Sequence, residues 1–220
     1  MQSRRDWLKA SVGIGGLIMA PSSLLTAQEK EKFQPRNLAP IVRLSSNENP
    51  YGPSKRVQDR IVNSFSDACR YPYAYSDNLA EQLAKKHDVS PESIIVTGGS
   101  TEGLKITGIT FAANGGEIIS GQPTFLAMMD YAKQWGATVN WVPVGEDKGY
   151  DLDAIENQLS NKTKLIFLCN PNNPTGTLVP AQKLVDFCEV ASKKAIVFSD
   201  EAYYDFIESP NYPSMIEAVK

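Results

Sequence analysis

The stretch Thr163-Lys164-Leu165-Ile166-Phe167-Leu168-Cys169-Asn170-Pro171-Asn172-Asn173-Pro174-Thr175-Gly176 decides the fold. An apolar run too short for a helix passes directly into a polar turn rich in Asn and Pro. Such a run reads as a strand buried on both faces, the kind found in parallel sheets. The turn then stands at the carboxyl end of the strand, where open α/β sheets hold their ligands. A second stretch repeats the arrangement. Ala195-Ile196-Val197-Phe198 runs into Ser199-Asp200-Glu201-Ala202-Tyr203-Tyr204.

Outward from these two stretches, strands alternate with helices at close spacing. Strands are predicted at 94–97, 117–120, 138–142, 163–169 and 195–199. Helices are predicted from a cap at Ser76 or Asp77, from the turn Gly98-Gly99-Ser100-Thr101-Glu102-Gly103 through Phe111, and from Pro123-Thr124-Phe125 through Trp135. Two more are predicted over 151–159 and 180–191, the latter with Pro180 in its first turn. The alternation predicts an α/β fold with three layers, α/β/α, and a mostly parallel sheet. Before it, Val57, Ile61, Val62 and Phe65 recur at helical spacing within 54–65. Asn47-Glu48-Asn49-Pro50-Tyr51-Gly52 is dense in turn formers, and Arg70-Tyr71-Pro72-Tyr73 is a further interruption. The final segment, Tyr212–Val219, reads as the start of another helix.

Composition excludes several functions. The 220 residues are 42% apolar and 21% charged, with a net charge of −3, so a sizeable core is possible and no basic excess points to nucleic acid. Cys69, Cys169 and Cys188 are too few and too scattered for a disulfide framework or a zinc site. Cys169 and Cys188 fall on apolar elements and read as core thiols. His87 is the one histidine, which excludes a histidine-rich metal site and leaves no Ser-His-Asp machinery around a nucleophile elbow.

Residues 1–27 are a different kind of sequence. Ser3-Arg4-Arg5-Asp6-Trp7-Leu8-Lys9 precedes the small, apolar run Ala10–Ala20, and Leu24-Leu25-Thr26-Ala27 offers a cleavage site. This resembles a twin-arginine export signal, with Trp7 where Phe is usual. It implies a periplasmic protein exported already folded. An ordinary secretory signal or an uncleaved anchor are the alternatives. The Gly-rich run is short for a permanent membrane span. Residues 28–75 then read as an arm and small-domain segment, and 76–220 as the main α/β domain.

Taken together, Asn170–Gly176 and Ser199–Tyr204 resemble the cofactor-binding motifs of fold-type I pyridoxal-phosphate (PLP) enzymes, above all the class I/II aminotransferases. The resemblance covers residues 38–220. PLP requires an amine to hold it, anion-binding groups for its phosphate, a carboxylate beside the pyridine nitrogen and a flat surface against the ring. The resemblance assigns Asp200 to the pyridine nitrogen, and Asn173 and Tyr203 to the phenolic oxygen. It assigns Ser100 and Thr101 to the phosphate, and Phe125 to the ring face. Tyr71 matches a tyrosine that reaches the phosphate of the neighbouring subunit, which implies a homodimer. Asn47–Gly52 resembles a substrate-side motif of histidinol-phosphate aminotransferases. Taken singly, these residues have plainer readings: a lone Asp after a strand caps a helix, a Gly-Gly-Ser-Thr turn starts one, and a Phe sits in a core.

The resemblance implies transfer of an amino group between an amino acid and a 2-oxo acid by a ping-pong mechanism. One departure is large. The family's Schiff-base lysine follows the Asp200 motif in a Ser-Lys segment, whereas the lysine after Asp200 here is Lys220, with no Ser before it. Lys220 is therefore not assigned, and the expectation is an N-terminal part of a longer enzyme, inactive alone. A decarboxylase or lyase of the same fold, or a non-catalytic binding protein, remain open alternatives.

Overall fold

The computed structural model describes residues 44–219. The expected export signal and most of the arm lie outside them. The chain divides into two units between Ala68 and Cys69.

In the first unit, Asn49 organises a turn: its Oδ1 accepts from the Tyr51 amide (3.0 Å) and its Nδ2 donates to the Gly52 carbonyl (3.1 Å). Gly52 takes a φ of 66°, a conformation open to a residue without Cβ. Helix α1 (Lys55–Asn63) follows, capped by Ser54 Oγ and supported by a Lys55–Asp59 pair one turn apart. Its expected apolar stripe forms, but Val57, Ile61, Val62 and Phe65 are all exposed.

The second unit opens with α2 (Tyr73–His87), which starts at Tyr73 rather than at a Ser76 or Asp77 cap. Pro72 occupies the capping position, where its missing N–H costs nothing. Lys85, Lys86 and His87 crowd the last turn, where cations suit the helix dipole, and Asp88 ends it with a φ of 55°. The expected strand at 94–97 does not form. Ile94 is extended, but no described strand lies beside this segment to take its backbone groups, and Ile95 is 86% exposed.

From Gly99 onward the alternation is as read, except that the helix expected to open at Pro123-Thr124-Phe125 starts at Ala127, after a loop. Helix α3 (Ser100–Ala112) is followed by β1 (Glu117–Gln122), α4 (Ala127–Lys133), β2 (Thr138–Pro143), α5 (Leu152–Asn157), β3 (Thr163–Cys169), α6 (Ala181–Ala191) and β4 (Ile196–Asp200). The segment read as a last helix forms a 3-10 turn, Met215–Val219. The four strands make one parallel sheet in the order β2-β1-β3-β4.

Side-chain parity sorts the core into two layers. Ile118, Leu165, Phe167 and Cys169 pack under Leu104 of α3 and Met128, Met129 and Ala132 of α4. Ile119, Ile166 and Leu168 face the other way, onto Ile155 of α5 and Leu184 and Phe187 of α6. β3 is buried along almost its whole length because it is central and covered on both faces. β4 ends the described sheet and is only half-buried.

Candidate cofactor site

The strand order reverses at β1: β2 lies on one side of it and β3 on the other. Ligands of open α/β sheets sit at the carboxyl ends of the strands beside such a reversal. The two loops that leave this point are Pro123–Leu126 after β1 and Asn170–Gly176 after β3. Their peptide bonds before Pro123, Pro171 and Pro174 are cis.

A buried polar network joins the two loops. Asn172 Nδ2 donates to the Pro123 carbonyl (3.0 Å) and to Thr175 Oγ1 (2.8 Å), and Thr124 Oγ1 donates to Asn172 Oδ1 (2.9 Å). Asn170 is tied down separately. Its Oδ1 accepts from the Val179 amide, its Nδ2 donates to the Tyr212 hydroxyl, and its own amide donates to the Asp200 carbonyl (2.9 Å). Both Asn side chains are almost fully buried, and each of their polar atoms has a hydrogen-bond partner, which is what makes their burial tolerable.

Asp200 ends β4 opposite Cys169 and shares the α3/α4 face with Phe198. The sequence predicts a well-buried Asp200. It is half-buried, because among the described residues β4 has a neighbouring strand on one side only. Its Oδ1 accepts from the Ala202 amide (3.1 Å), and it has no cationic partner among the described residues. Burial pushes its carboxyl above the usual carboxylate range, the Ala202 amide pulls it down, and Glu201 adds to the rise. A cation placed against it would relieve that cost.

Asn173 and Tyr203 meet at the same end of the sheet, with Asn173 Nδ2 donating to the Tyr203 hydroxyl at 3.5 Å. Cys169 pairs in register with Asp200, and its thiol feels both the Asp200 charge and the Asn173 backbone. Burial, then the Asp200 charge, raise the thiol to about 11, against a lowering contact from the Asn173 backbone. It stays protonated and donates to the Pro171 carbonyl (3.4 Å). Cys169 and Cys188 are thus core thiols as read, and neither is in a disulfide.

Ser100 and Thr101 form the first turn of α3, a helix of thirteen residues with no side-chain cap. Gly99 enters it with a φ of 99°. Backbone amides at such a start attract anions. Glu102 of the same turn takes the Gly98 amide. A cavity of about 250 Å³ between α3 and β4 is lined by Thr97 and Ser100 on one side and Phe198 and Asp200 on the other. A larger one, about 450 Å³, opens across β4 beside Cys188 and Met215, and none of the expected site residues lines it. Phe125 is half-buried against the α3/α4 core layer.

Tyr71 stands apart from this group. It is 81% exposed and stacks on Tyr73, with ring centres 5.5 Å apart. The Asn47–Gly52 turn belongs to the other unit. No cluster of potential metal ligands exists among the described residues, and no described helix is long and apolar enough to cross a membrane.

Sequence reasoning overlooked Tyr150, Thr124 and Asn172 as a group. They come from three loops 22 to 48 residues apart, and nothing local to any of them marks their meeting.

The donor set fits PLP. A carboxylate without a cation suits a protonated pyridine nitrogen, the Asn173–Tyr203 pair suits a phenolic oxygen, and an uncapped helix start suits a phosphate. The layered α/β domain matches the large domain of PLP-dependent transferases in its four-stranded parallel sheet. The chain belongs to the aminotransferase class I and II family, whose model matches residues 39–219.

Among curated proteins, histidinol-phosphate aminotransferase 1 of Bacillus cereus is 37% identical over 179 residues, 81% of this chain and 48% of that protein. Histidinol-phosphate aminotransferase of Bacillus velezensis is 36% identical over 83% of this chain and 51% of its own length. The chain thus spans about half the length of the curated relatives it matches. Among solved structures, a putative histidinol-phosphate aminotransferase from Erwinia carotovora atroseptica superposes with a TM-score of 0.74 at 27% identity, over 79% of this chain and 51% of that one. Histidinol-phosphate aminotransferase from Sinorhizobium meliloti, solved with pyridoxal-5'-phosphate, shares the fold with a TM-score of 0.68 at 24% identity, over 73% and 44% of the two chains.

Proposed function

We propose that the protein is a PLP-dependent aminotransferase that moves an amino group between an amino acid, or a histidinol-phosphate-like amine, and a 2-oxo acid by a ping-pong mechanism. The observation that carries this reading is Asp200: a half-buried carboxylate without a cation, at the same strand ends as the Asn173–Tyr203 pair.

When bound, PLP supplies an electron sink for the charge left on a substrate carbon that loses a proton. Asp200 holds a proton on the pyridine nitrogen. Asn173 and Tyr203 donate to the phenolic oxygen and fix the ring's rotation. Ser100 and Thr101, with the α3 amides, bind the phosphate. Phe125 covers one ring face and keeps water from it. The amine that carries the substrate proton is not assigned to any residue of this chain.

The protein is further proposed to be a homodimer in the periplasm. The exposure of Tyr71 supports a partner-facing role. Arg4-Arg5 with its apolar run supports export. An exported member of this family would meet its amine outside the cytoplasm, which separates its substrate from that of histidine synthesis.

The test uses the protein expressed from its complete gene and purified with PLP. The visible spectrum of the cofactor should shift with an amino acid and return with a 2-oxo acid, and the first addition should release the matching oxo acid. Carbon dioxide release without oxo acid formation would favour a decarboxylase instead. Absence of any PLP binding would reject the reading altogether.

A further inference from the structure

We propose that Tyr150 is a positioning residue of the cofactor site, a buried hydroxyl that locks the loop after β1, the loop after β3 and the end of β3 into one arrangement. The proposal rests on the PLP reading above, and it extends that reading to a residue outside the motifs that support it.

The geometry begins at Gly121. Tyr150 reaches in from the β2–α5 connection, and its ring crosses β1 above this glycine. A Cβ at Gly121 would lie 2.3 Å from Tyr150 Cδ1 and 2.4 Å from Cε1, far inside contact distance. The backbone of β1 there is ordinary strand, so the glycine serves the ring and not the turn.

The hydroxyl this seat delivers has three neighbours. It lies 2.7 Å from Thr124 Oγ1 and 2.9 Å from Asn172 Oδ1, and the Cys169 amide donates to it at 3.1 Å. Thr124 and Asn172 also bond each other at 2.9 Å, closing a triangle of oxygens. The triangle has three edges and two hydroxyl protons, so at any moment one edge is unbonded and the protons can redistribute around it. Burial raises the Tyr150 hydroxyl to about 12. The group therefore stays a phenol through the neutral range and acts as a structural donor and acceptor, not as an acid or base.

Each neighbour stands next to a proposed cofactor contact. Thr124 precedes Phe125. Asn172 precedes Asn173. Cys169 pairs in register with Asp200. One hydroxyl thus sets the distances among the ring face, the phenolic-oxygen donor and the pyridine carboxylate. Misplacing such groups by even about an ångström can cost roughly a hundredfold in rate.

The experiment compares Tyr150→Phe and Gly121→Ala with the wild type, each expressed from the complete gene. The first removes the hydroxyl and keeps the ring. The second leaves the hydroxyl and displaces its seat. Both should weaken PLP binding roughly tenfold, the usual scale for a lost buried hydrogen bond. Both should also reduce the visible circular dichroism of the bound cofactor, and lower kcat by roughly tenfold or more while leaving KM for the amino acid nearly unchanged. In the cofactor-free protein, amide exchange should rise together in 123–126 and 170–176. If Gly121→Ala does not fold, Tyr150→Phe decides alone. Wild-type PLP affinity and dichroism in Tyr150→Phe, or faster exchange confined to 145–151, would overturn the positioning role and leave the PLP reading intact. A wild-type protein that binds no PLP would sink both.

Discussion

At the residue scale, Asp200 combines a cost and a use. Because burial raises its carboxyl, the folded state keeps the proton to a higher pH than the unfolded chain does. Ionised Asp200 therefore lowers the stability of the cofactor-free fold above its folded pKa, and the cost fades as pH falls toward the unfolded value. Asn carries no such cost. Asp200→Asn should raise the Tm of the cofactor-free protein at neutral pH, and the gap to wild type should close as the pH is lowered through the acid range. The same change should lower kcat of the PLP-loaded enzyme by roughly a hundredfold or more, since a fixed charge facing the reacting system is lost. A gain in stability paired with a loss in rate separates this carboxylate from a helix cap, which Asn replaces with little change in either. Asp200, Asn173 and Tyr203 were singled out by the likeness of their two motifs to those of a known family. Tyr150 was not, since its meaning lies in contacts across three loops.

Elements were legible where the chain makes its own case. β3 has the predicted limits, because a continuous apolar run between polar turns has one place to go: the centre of a sheet covered on both faces. The segment 94–97 has the same local character, yet forms no strand. A strand is a pairing, and pairing depends on a neighbour that local sequence does not supply. The start of α2 moved because Pro72 can stand before a first turn as well as interrupt a chain. Helix packing sets a further element-scale requirement, at Gly108. A Cβ there would meet Met128 Cγ at 3.1 Å, and the Ala132 Cβ and Met128 carbonyl at 3.2 Å, so α3 and α4 touch through a position without side chain. Gly108→Leu should destabilise the protein by about 1–3 kcal/mol through overpacking, measured by denaturant unfolding. It should also weaken PLP binding in a fluorescence titration, because α3 carries Ser100 and Thr101 at its start. An unchanged unfolding midpoint would show that the two helices separate easily.

At the scale of the whole molecule, the proposed cofactor site and the proposed export signal make two demands on one chain. On the PLP reading, Asp200, Asn173 and Tyr203 are proposed to recognise the pyridine ring, and no residue of 1–220 is assigned as the amine that reacts with it. The 220-residue chain by itself should therefore release no detectable oxo acid from amino acids, since removing one essential member of a concerted site costs orders of magnitude. Detectable turnover would show that another amine in the chain serves. The signal leads to a sharper test. The twin-arginine route moves folded proteins and depends on the arginine pair itself, whereas an ordinary secretory signal depends on positive charge and an apolar run. Changing Arg4→Lys and Arg5→Lys together keeps the charge and the run while removing the pair. If the protein travels folded with its cofactor site assembled, the doubly substituted protein should remain in the cytoplasm. The wild type should appear in the periplasm, with an N-terminus at residue 28 if the signal is cleaved after Ala27. Fractionation and N-terminal sequencing read this directly. Equal export of both forms would assign the ordinary route instead, and the polypeptide would then have to fold and take up PLP after crossing.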